Sequence, residues 1–556
     1  MSDTTTVLIV GAGFAGLGTA IRLLQQGIDD FVVLERADEV GGTWRDNTYP
    51  GAACDIPSLL YSYGFEQNPD WSRAYSGSAE ILGYIKTMVD KYSLSRFIRF
   101  GVNVTGLEFD EESALWTAQT ADGSQFTART AVMASGPLAN ASLPDIRGLD
   151  TFDGHKIHSA RWDHDYDMSD KRVAVIGTGA SAVQIIPELV KTARSVKVFQ
   201  RTPGWVLPRP DFSHPQWVRT AFRRLPRVQN VGRQAWFWGH ELMAVGMVWD
   251  TPVTTGIQLL AKANLRRQVS DTWLRRQLTP NFRAGCKRML MSSDYYPALQ
   301  RDNCKLVSWP IATLSPNGIR TADGIEHELD CIVFATGFDV CKAGTPFPIR
   351  GAHGRELSDE WSQGAYAYRS VTVAGYPNLF FTFGPNSGPG HNSALVYMEA
   401  EINYIVKAIG AIIANDLSTL EVREDRQNNY HGEVQQRLGS TTWNSGCKSW
   451  YLTNDGYNGT MYPGFATQFK RALSKVDMGD YVTTPTTART EHHPTEHAQN
   501  GSNVAKVAQG RKAKVAQGRK SAGALPTRSD VKADILDVGV GKVPPKRAAS
   551  RVRKDA

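Results

Sequence analysis

Two copies of one local pattern constrain this chain more than anything else in it: an apolar run, a glycine-rich turn, then an amphipathic stretch. The first copy reads Val7-Leu-Ile-Val10, then Gly11-Ala-Gly13-Phe-Ala15-Gly16, then apolar Leu17, Ala20, Ile21 and Leu24, ending at Gly27. A continuous apolar run suits a strand buried on both faces of a parallel sheet. The spacing that follows predicts a helix closed by glycine, and Phe31-Val-Val-Leu34 supplies the next strand. The second copy is Val173-Ala-Val-Ile176, Gly177-Thr178-Gly179-Ala180-Ser181-Ala182, a helix through Leu189, and Val196-Lys-Val-Phe199.

In such a unit the first glycine permits the tight turn and the second lets backbone N–H groups approach a pyrophosphate. The third allows close helix–strand packing, and the helix N-terminus favours the anion. Glu35 ends the second strand, nineteen residues past Gly16, where a carboxylate accepts hydrogen bonds from both hydroxyls of an adenosine ribose. Gly11, Gly13, Ala15, Gly16 and Glu35 therefore predict FAD or NAD. In the second copy Ala182 replaces the third glycine, and Gln200-Arg201-Thr202 stands where the acid would be. A guanidinium and a hydroxyl suit a dianionic 2′-phosphate. The contrast predicts FAD at the first site and NADPH at the second. Disulfide reductases share that plan but need a redox CxxC, and the cysteines (54, 286, 304, 331, 341 and 447) contain none.

The 556 residues allow roughly three or four domains, and 41% apolar residues exclude a mostly disordered chain. No apolar run is long enough for a transmembrane segment; Leu242–Trp249 is stopped by Glu241 and Asp250. Val7–Val10 lacks a basic flank and reads as a strand rather than a leader. Sparse, scattered cysteines fit a cytoplasmic protein. The net charge of +7 hints at nucleic acid until it is located: residues 501–556 hold 14 Lys/Arg and 4 Asp/Glu, residues 1–500 hold 48 and 51. No nucleic-acid partner is expected. The tail repeats AKVAQGRK at 505–512 and 513–520 with almost no aromatics, so disorder is expected. The fold class expected is α/β, with two Rossmann-like dinucleotide-binding domains, a helical insertion and a disordered C-terminal tail. Residues 1–148 and 346–480 form the FAD-binding domain and 149–204 and 286–345 the NADP-binding domain. Residues 205–285 form the helical insertion, without strand alternation, and 481–556 the basic tail.

Phe152-Asp-Gly154-His-Lys-Ile-His158-Ser-Ala-Arg-Trp162-Asp163 precedes the second unit and matches FxGxxxHxxxW followed by Pro or Asp. It resembles the fingerprint of type I Baeyer–Villiger monooxygenases. A second stretch agrees, Gly41-Gly42-Thr43-Trp44 through Tyr49-Pro50-Gly51 to Asp55, followed by Tyr61. So do Phe334-Ala-Thr336-Gly337-Phe338, Gly384-Pro385-Asn386, and Cys286-Lys287-Arg288 before Tyr296. The resemblance spans roughly residues 5–475.

The resemblance implies that Arg288 is the active-site arginine and Asp55 the carboxylate beside it. It implies FAD contacts from Gly42, Thr43, Trp44, Asp55, Tyr61, Val104 and Asn386. NADP contacts come from the loop Gly177–Ala182, Gln184, Arg201, Thr202, Lys287, Arg288 and Trp450. Phe152, Gly154, His158, Trp162 and Asp163 form the family's linker motif, in which His158 and Trp162 would couple domain motion to catalysis. The reaction implied is insertion of one oxygen atom from O2 next to a ketone carbonyl through a C4a-peroxyflavin, giving an ester or lactone. An immovable cation suits it, because an arginine beside an anionic oxidant and an anionic adduct stabilises both. A flavin-containing monooxygenase acting on amines or sulfides, and an NADPH sensor or uncoupled oxidase, remain open. His391-Asn392 reads more readily as structural than catalytic. Trp236, Phe237 and Trp238 belong to the core or to a substrate pocket. No metal-ligand spacing and no GxSxG elbow is present.

Overall fold

The computed structural model describes residues 4–338, 346–447 and 449–486. The expected disorder beyond 486 lies outside the described residues. Two parallel-sheet units dominate. In the first, Thr5–Val10 pairs in parallel with Phe31–Leu34 on one side and with Gln125–Met133 on the other. Val104–Asp110 and Leu115–Thr120 extend this sheet as an antiparallel meander, and Leu379–Phe381 returns to pair with Gln125–Met133. Leu8, Ile9, Val33 and Ala131 are fully buried, which is why these strands read as unbroken apolar runs.

The second unit is an all-parallel five-stranded sheet ordered Cys304–Val307, Ser195–Phe199, Arg172–Ile176, Cys331–Phe334 and His155–His158. Its helix Ala180–Thr192 buries Ala182, Val183, Ile185, Ile186, Leu189 and Val190. The outermost strand holds His158 of the fingerprint.

Residues 205–285 are mostly helical: Gln216–Arg224, Pro226–Met247, Pro252–Gln268 and Thr272–Gln277. Two of these helices begin at a proline, which is preorganised for a first helical turn. Asp271 starts another by accepting from the Trp273 and Leu274 N–H groups. One expectation is corrected here, since Val206–Leu207 forms a short strand paired with Leu290–Met291. A second correction concerns the start of the tail. Tyr481–Pro485 is a strand antiparallel to Leu417–Val422; Tyr481 is buried and its hydroxyl meets that of Tyr404 at 2.7 Å. The apolar anchor Tyr481, in an otherwise Thr-rich segment, is what holds it.

Candidate active site

The two glycine turns build matching cradles. Gly11 and Gly177 have φ of +109° and +122°, a region that favours glycine. A Cβ at either would meet a carbonyl oxygen, of Ala134 at 2.6 Å or of Ala335 at 2.4 Å. Each turn ends in an N-cap glycine, Gly13 or Gly179, and no side chain caps either helix. The leading N–H groups of both helices are thus left for an external acceptor. The cradles are also open: a Cβ at Gly13 would approach only the Gly42 Cα, at 3.8 Å, and one at Gly179 nothing. Both fit a pyrophosphate.

Glu35 is buried, accepting from the Ala12 N–H at 2.8 Å and the Ala37 N–H at 3.0 Å. Arg45 donates to it at 2.9 Å. Sequence reasoning missed Arg45, although it directly follows the Gly42-Thr43-Trp44 run. Trp44 Nε1 donates to the Tyr61 hydroxyl at 3.2 Å, and Tyr61 packs edge-on to Phe14 of the first helix. Ala15 and Gly16 are buried in that helix.

At the second cradle Thr178 donates to the Thr202 carbonyl at 2.8 Å. Burial, and then the positive charge of Arg201, hold the Lys287 ammonium below its ordinary value. Arg201 and Lys287 form no carboxylate ion pair among the described residues. Two close cations lacking an acid suit a dianion, and the site fits a 2′-phosphate. Gln184 has another place: its Nε2 donates to the Ala53 carbonyl at 3.0 Å and its Oε1 accepts from the Tyr49 hydroxyl at 3.0 Å. The helix of the second cradle thereby grips the segment that ends in Asp55.

There the structure joins two residues that lie 233 apart in the chain. Arg288 Nε donates to Asp55 Oδ2 at 2.8 Å and Nη2 to Oδ1 at 2.7 Å, a bidentate fork. The side chains keep 32% and 23% of their surface open, so the pair is half-buried rather than sealed in the core. The Asp55 charge outweighs burial and raises the guanidinium further above its already high value. Burial alone would raise the Asp55 carboxyl, but the guanidinium overrides it and holds the carboxyl below the usual carboxylate range. The pair therefore persists at all ordinary pH and is lost only as pH falls through that lowered value. Burial pushes the Tyr451 hydroxyl up to about 12, so it is neutral beside the pair. The carbonyl of Trp236 requires His240 Nδ1 to carry a proton, at 2.9 Å.

The segments around the pair are tied together. Cys286, two residues before Arg288, is disulfide-bonded to Cys447. The cysteine spacing gave no sign of this, with the two 161 residues apart, and the bond overturns the reading of the cysteines as fitting a reducing cytoplasm. Trp450 lies just beyond, 47% exposed and with its ring 4.4 Å from that of Tyr451. Asn386 is buried and donates to the Asn458 and Met461 carbonyls. Val104 is a buried strand residue opposite Thr120. In the fingerprint, Phe152 is buried under Gly154 and Trp162 packs against the second-unit core. His158 Nδ1 accepts from the Ala160 N–H, and Asp163 pairs with His155 at 2.9 Å. Arg161 reaches Asp46 at 3.7 Å, so the fingerprint touches the short helix Thr43–Asp46. The structure does not bring Val104 or the fingerprint side chains to the Arg288–Asp55 pair by any direct hydrogen bond or ion pair among the described residues.

Two buried carboxylates were missed. Glu241 accepts from His391 Nε2 and Asn392 Nδ2 at 3.3 Å and from Thr467 N and Oγ1 at 2.9 and 2.6 Å. These bonds overcome the upward push of burial and hold the carboxyl down at about 2. His391 is therefore a partner of a structural hub. Glu401 accepts from the Phe383 N–H at 2.7 Å, behind Gly384-Pro385-Asn386, and burial lifts its carboxyl to about 8. A folded value above the unfolded 4.5 makes this group's contribution to stability greatest at acid pH and smaller as pH rises towards the folded value. Glu401→Gln is expected to raise the thermal midpoint relative to the native protein near about pH 8 and to change it little near about pH 4. Midpoints measured across that range check it.

The fold and the site define an oxidoreductase with two dinucleotide cradles and a half-buried Arg288–Asp55 pair. Residues 8–234 match the family described as pyridine nucleotide-disulphide oxidoreductase. A Baeyer–Villiger monooxygenase of Pseudomonas aeruginosa is 42% identical over 489 residues, covering 87% of this chain and 92% of that protein. Cyclohexanone monooxygenase from Rhodococcus sp. Phi1, bound to NADP+, superposes with a TM-score of 0.79 at 26% identity, over 87% of this chain and all of that one. The OTEMO complex with FAD and NADP gives 0.76 at 27% identity, over 85% and 97%. This chain belongs to the Baeyer–Villiger monooxygenase family. Among the described residues no helix is long and apolar enough to cross a membrane.

Proposed function

We propose that this protein uses FAD, NADPH and O2 to insert one oxygen atom beside a ketone carbonyl, yielding an ester or lactone. The observation that carries this reading is the bidentate Arg288–Asp55 pair, tied to the second cradle through Lys287 beside Arg201 and through the Gln184 grip on the segment that ends in Asp55. Residues 1–148 and 346–480 would hold FAD, and 149–204 and 286–345 NADP, with 205–285 inserted. FAD, when bound, supplies the reduced ring that passes two electrons to O2, and NADPH supplies the hydride for its reduction.

The chain's own residues do the rest. The leading N–H groups of the helix that follows Gly13 hold the FAD pyrophosphate and Glu35 its ribose; Arg201, Thr202 and Lys287 hold the 2′-phosphate. Oxygen attack on a ketone places negative charge on the carbonyl oxygen, and a fixed donor aimed there lowers the barrier. Arg288 is such a donor: it keeps its proton at any working pH, and Asp55 fixes the plane of its fork. Asp55 also offsets the cost of holding a partly desolvated cation at this position. A cytoplasmic location is supported by the use of NADPH, which is regenerated there. Incubating the enzyme with linear, cyclic, aryl and steroid ketones plus NADPH, with products identified by NMR, tests the reading. Esters or lactones from one class are expected. Sulfoxides or N-oxides alone would move the protein to heteroatom oxygenation, and peroxide alone to an uncoupled oxidase.

A further inference from the structure

The helix Pro226–Met247 buries, alongside the apolar Phe237 and Ala244, three polar side chains, Gln229, Arg233 and Glu241. Each is satisfied: Gln229 donates to the Asn68 carbonyl, Arg233 to the carbonyls of Leu59, Leu60 and Ser62, and Glu241 holds the hub described above. Its outward face carries Val228, Val231, Trp238 and Leu242, spaced so that they lie along one side. Val231, Trp238 and Leu242 are 68%, 58% and 73% exposed, and Trp217 on the preceding helix is 73% exposed. An amphipathic helix on a soluble domain normally shows water its polar side.

This ridge lies in strongly basic surroundings. From Phe212 to His240 there is no acidic residue and there are five arginines, and residues 205–285 as a whole hold 12 Lys/Arg against 4 Asp/Glu. Arg223 is paired with Asp70, but Arg224 and Arg227 are exposed and enter no ion pair among the described residues. The near neutrality of residues 1–500 thus conceals a polarised body. We propose that this face docks on an anionic lipid surface, with the tryptophans and aliphatic side chains entering the headgroup boundary and the arginines meeting lipid phosphates. The charge selects that occupant. A second copy would set one basic insertion against another, and the C-terminal segment, with its own excess of Lys/Arg, is of the same sign. Nucleic acid would answer the arginines but offers no apolar layer for Val231 and Leu242.

Co-sedimentation of the full chain tests this, with vesicles of phosphatidylcholine alone or mixed with phosphatidylglycerol. The expected result is binding to the mixed vesicles, weakened by salt, and little to the neutral ones. W238S/L242S in one variant and R224E/R227E in another should each weaken it about tenfold or more. Unchanged thermal midpoints would show that both variants fold, as expected for exposed positions. The proposal is overturned if the native chain ignores the mixed vesicles, or if both variants bind as it does, which would assign binding to the C-terminal segment. It is also overturned if W238S/L242S converts a dimer to a monomer in sedimentation velocity without altering vesicle binding, which would make a second copy the occupant.

Discussion

Arg288→Ala is expected to lower the rate of ester formation at saturating ketone and NADPH by about 10²–10³-fold, while NADPH oxidation continues and ends in peroxide. The magnitude is that of removing one preorganised donor from a developing oxyanion. The structure makes the loss specific, because the fork is held at 2.7 and 2.8 Å by a carboxylate and a water molecule supplies no fixed charge in its place. Arg288→Lys should recover only part of the rate, since an ammonium restores the charge but not the planar fork. Thermal midpoints belong in the same experiment, because the alanine variant leaves Asp55 without its partner. Ester turnover within a few-fold of the native rate would remove Arg288 from the chemistry.

The second large effect is expected at the other cradle. Arg201→Ala combined with Lys287→Ala should raise KM for NADPH by about 10–100-fold and leave KM for NADH nearly unchanged. The reason is the local charge balance. The two cations sit close enough for one to depress the proton affinity of the other, an arrangement that a 2′-phosphate dianion relieves. Removing them takes away charge-assisted hydrogen bonds that only the phosphorylated cofactor makes. The ratio kcat/KM for NADPH over NADH, measured on the native protein and the double variant, decides. An unchanged ratio would mean that the 2′-phosphate is held elsewhere.

What could be read from the chain was what is local. The cradles were legible because strand, turn and helix are contiguous and their glycines answer to backbone geometry, as the +109° and +122° at Gly11 and Gly177 show. Glu35 and Arg201 were legible because each lies within two residues of the end of its strand. The Arg288–Asp55 pair has no local signature across 233 residues and came into view only through the family motifs around each member. The Cys286–Cys447 bond had no motif to announce it. Glu241 and Glu401 gave no sign of their burial, because helical patterning assigns a charged residue to the solvent side and both are buried here. Trp236, Phe237 and Trp238 could not be divided because consecutive residues point to different sides of a helix; Phe237 is core, Trp236 half-buried and Trp238 exposed. Tyr481–Pro485 was hidden by composition, since a strand pinned by one tyrosine resembles the basic segment that follows it.

The most direct test follows the oxygen. With NADPH, a ketone accepted by the native enzyme and ¹⁸O2, the account predicts one heavy atom in the product, located by mass fragmentation in the bridging position between the carbonyl carbon and the migrated carbon. An ester with no label, or with the label confined to the carbonyl oxygen, would contradict it.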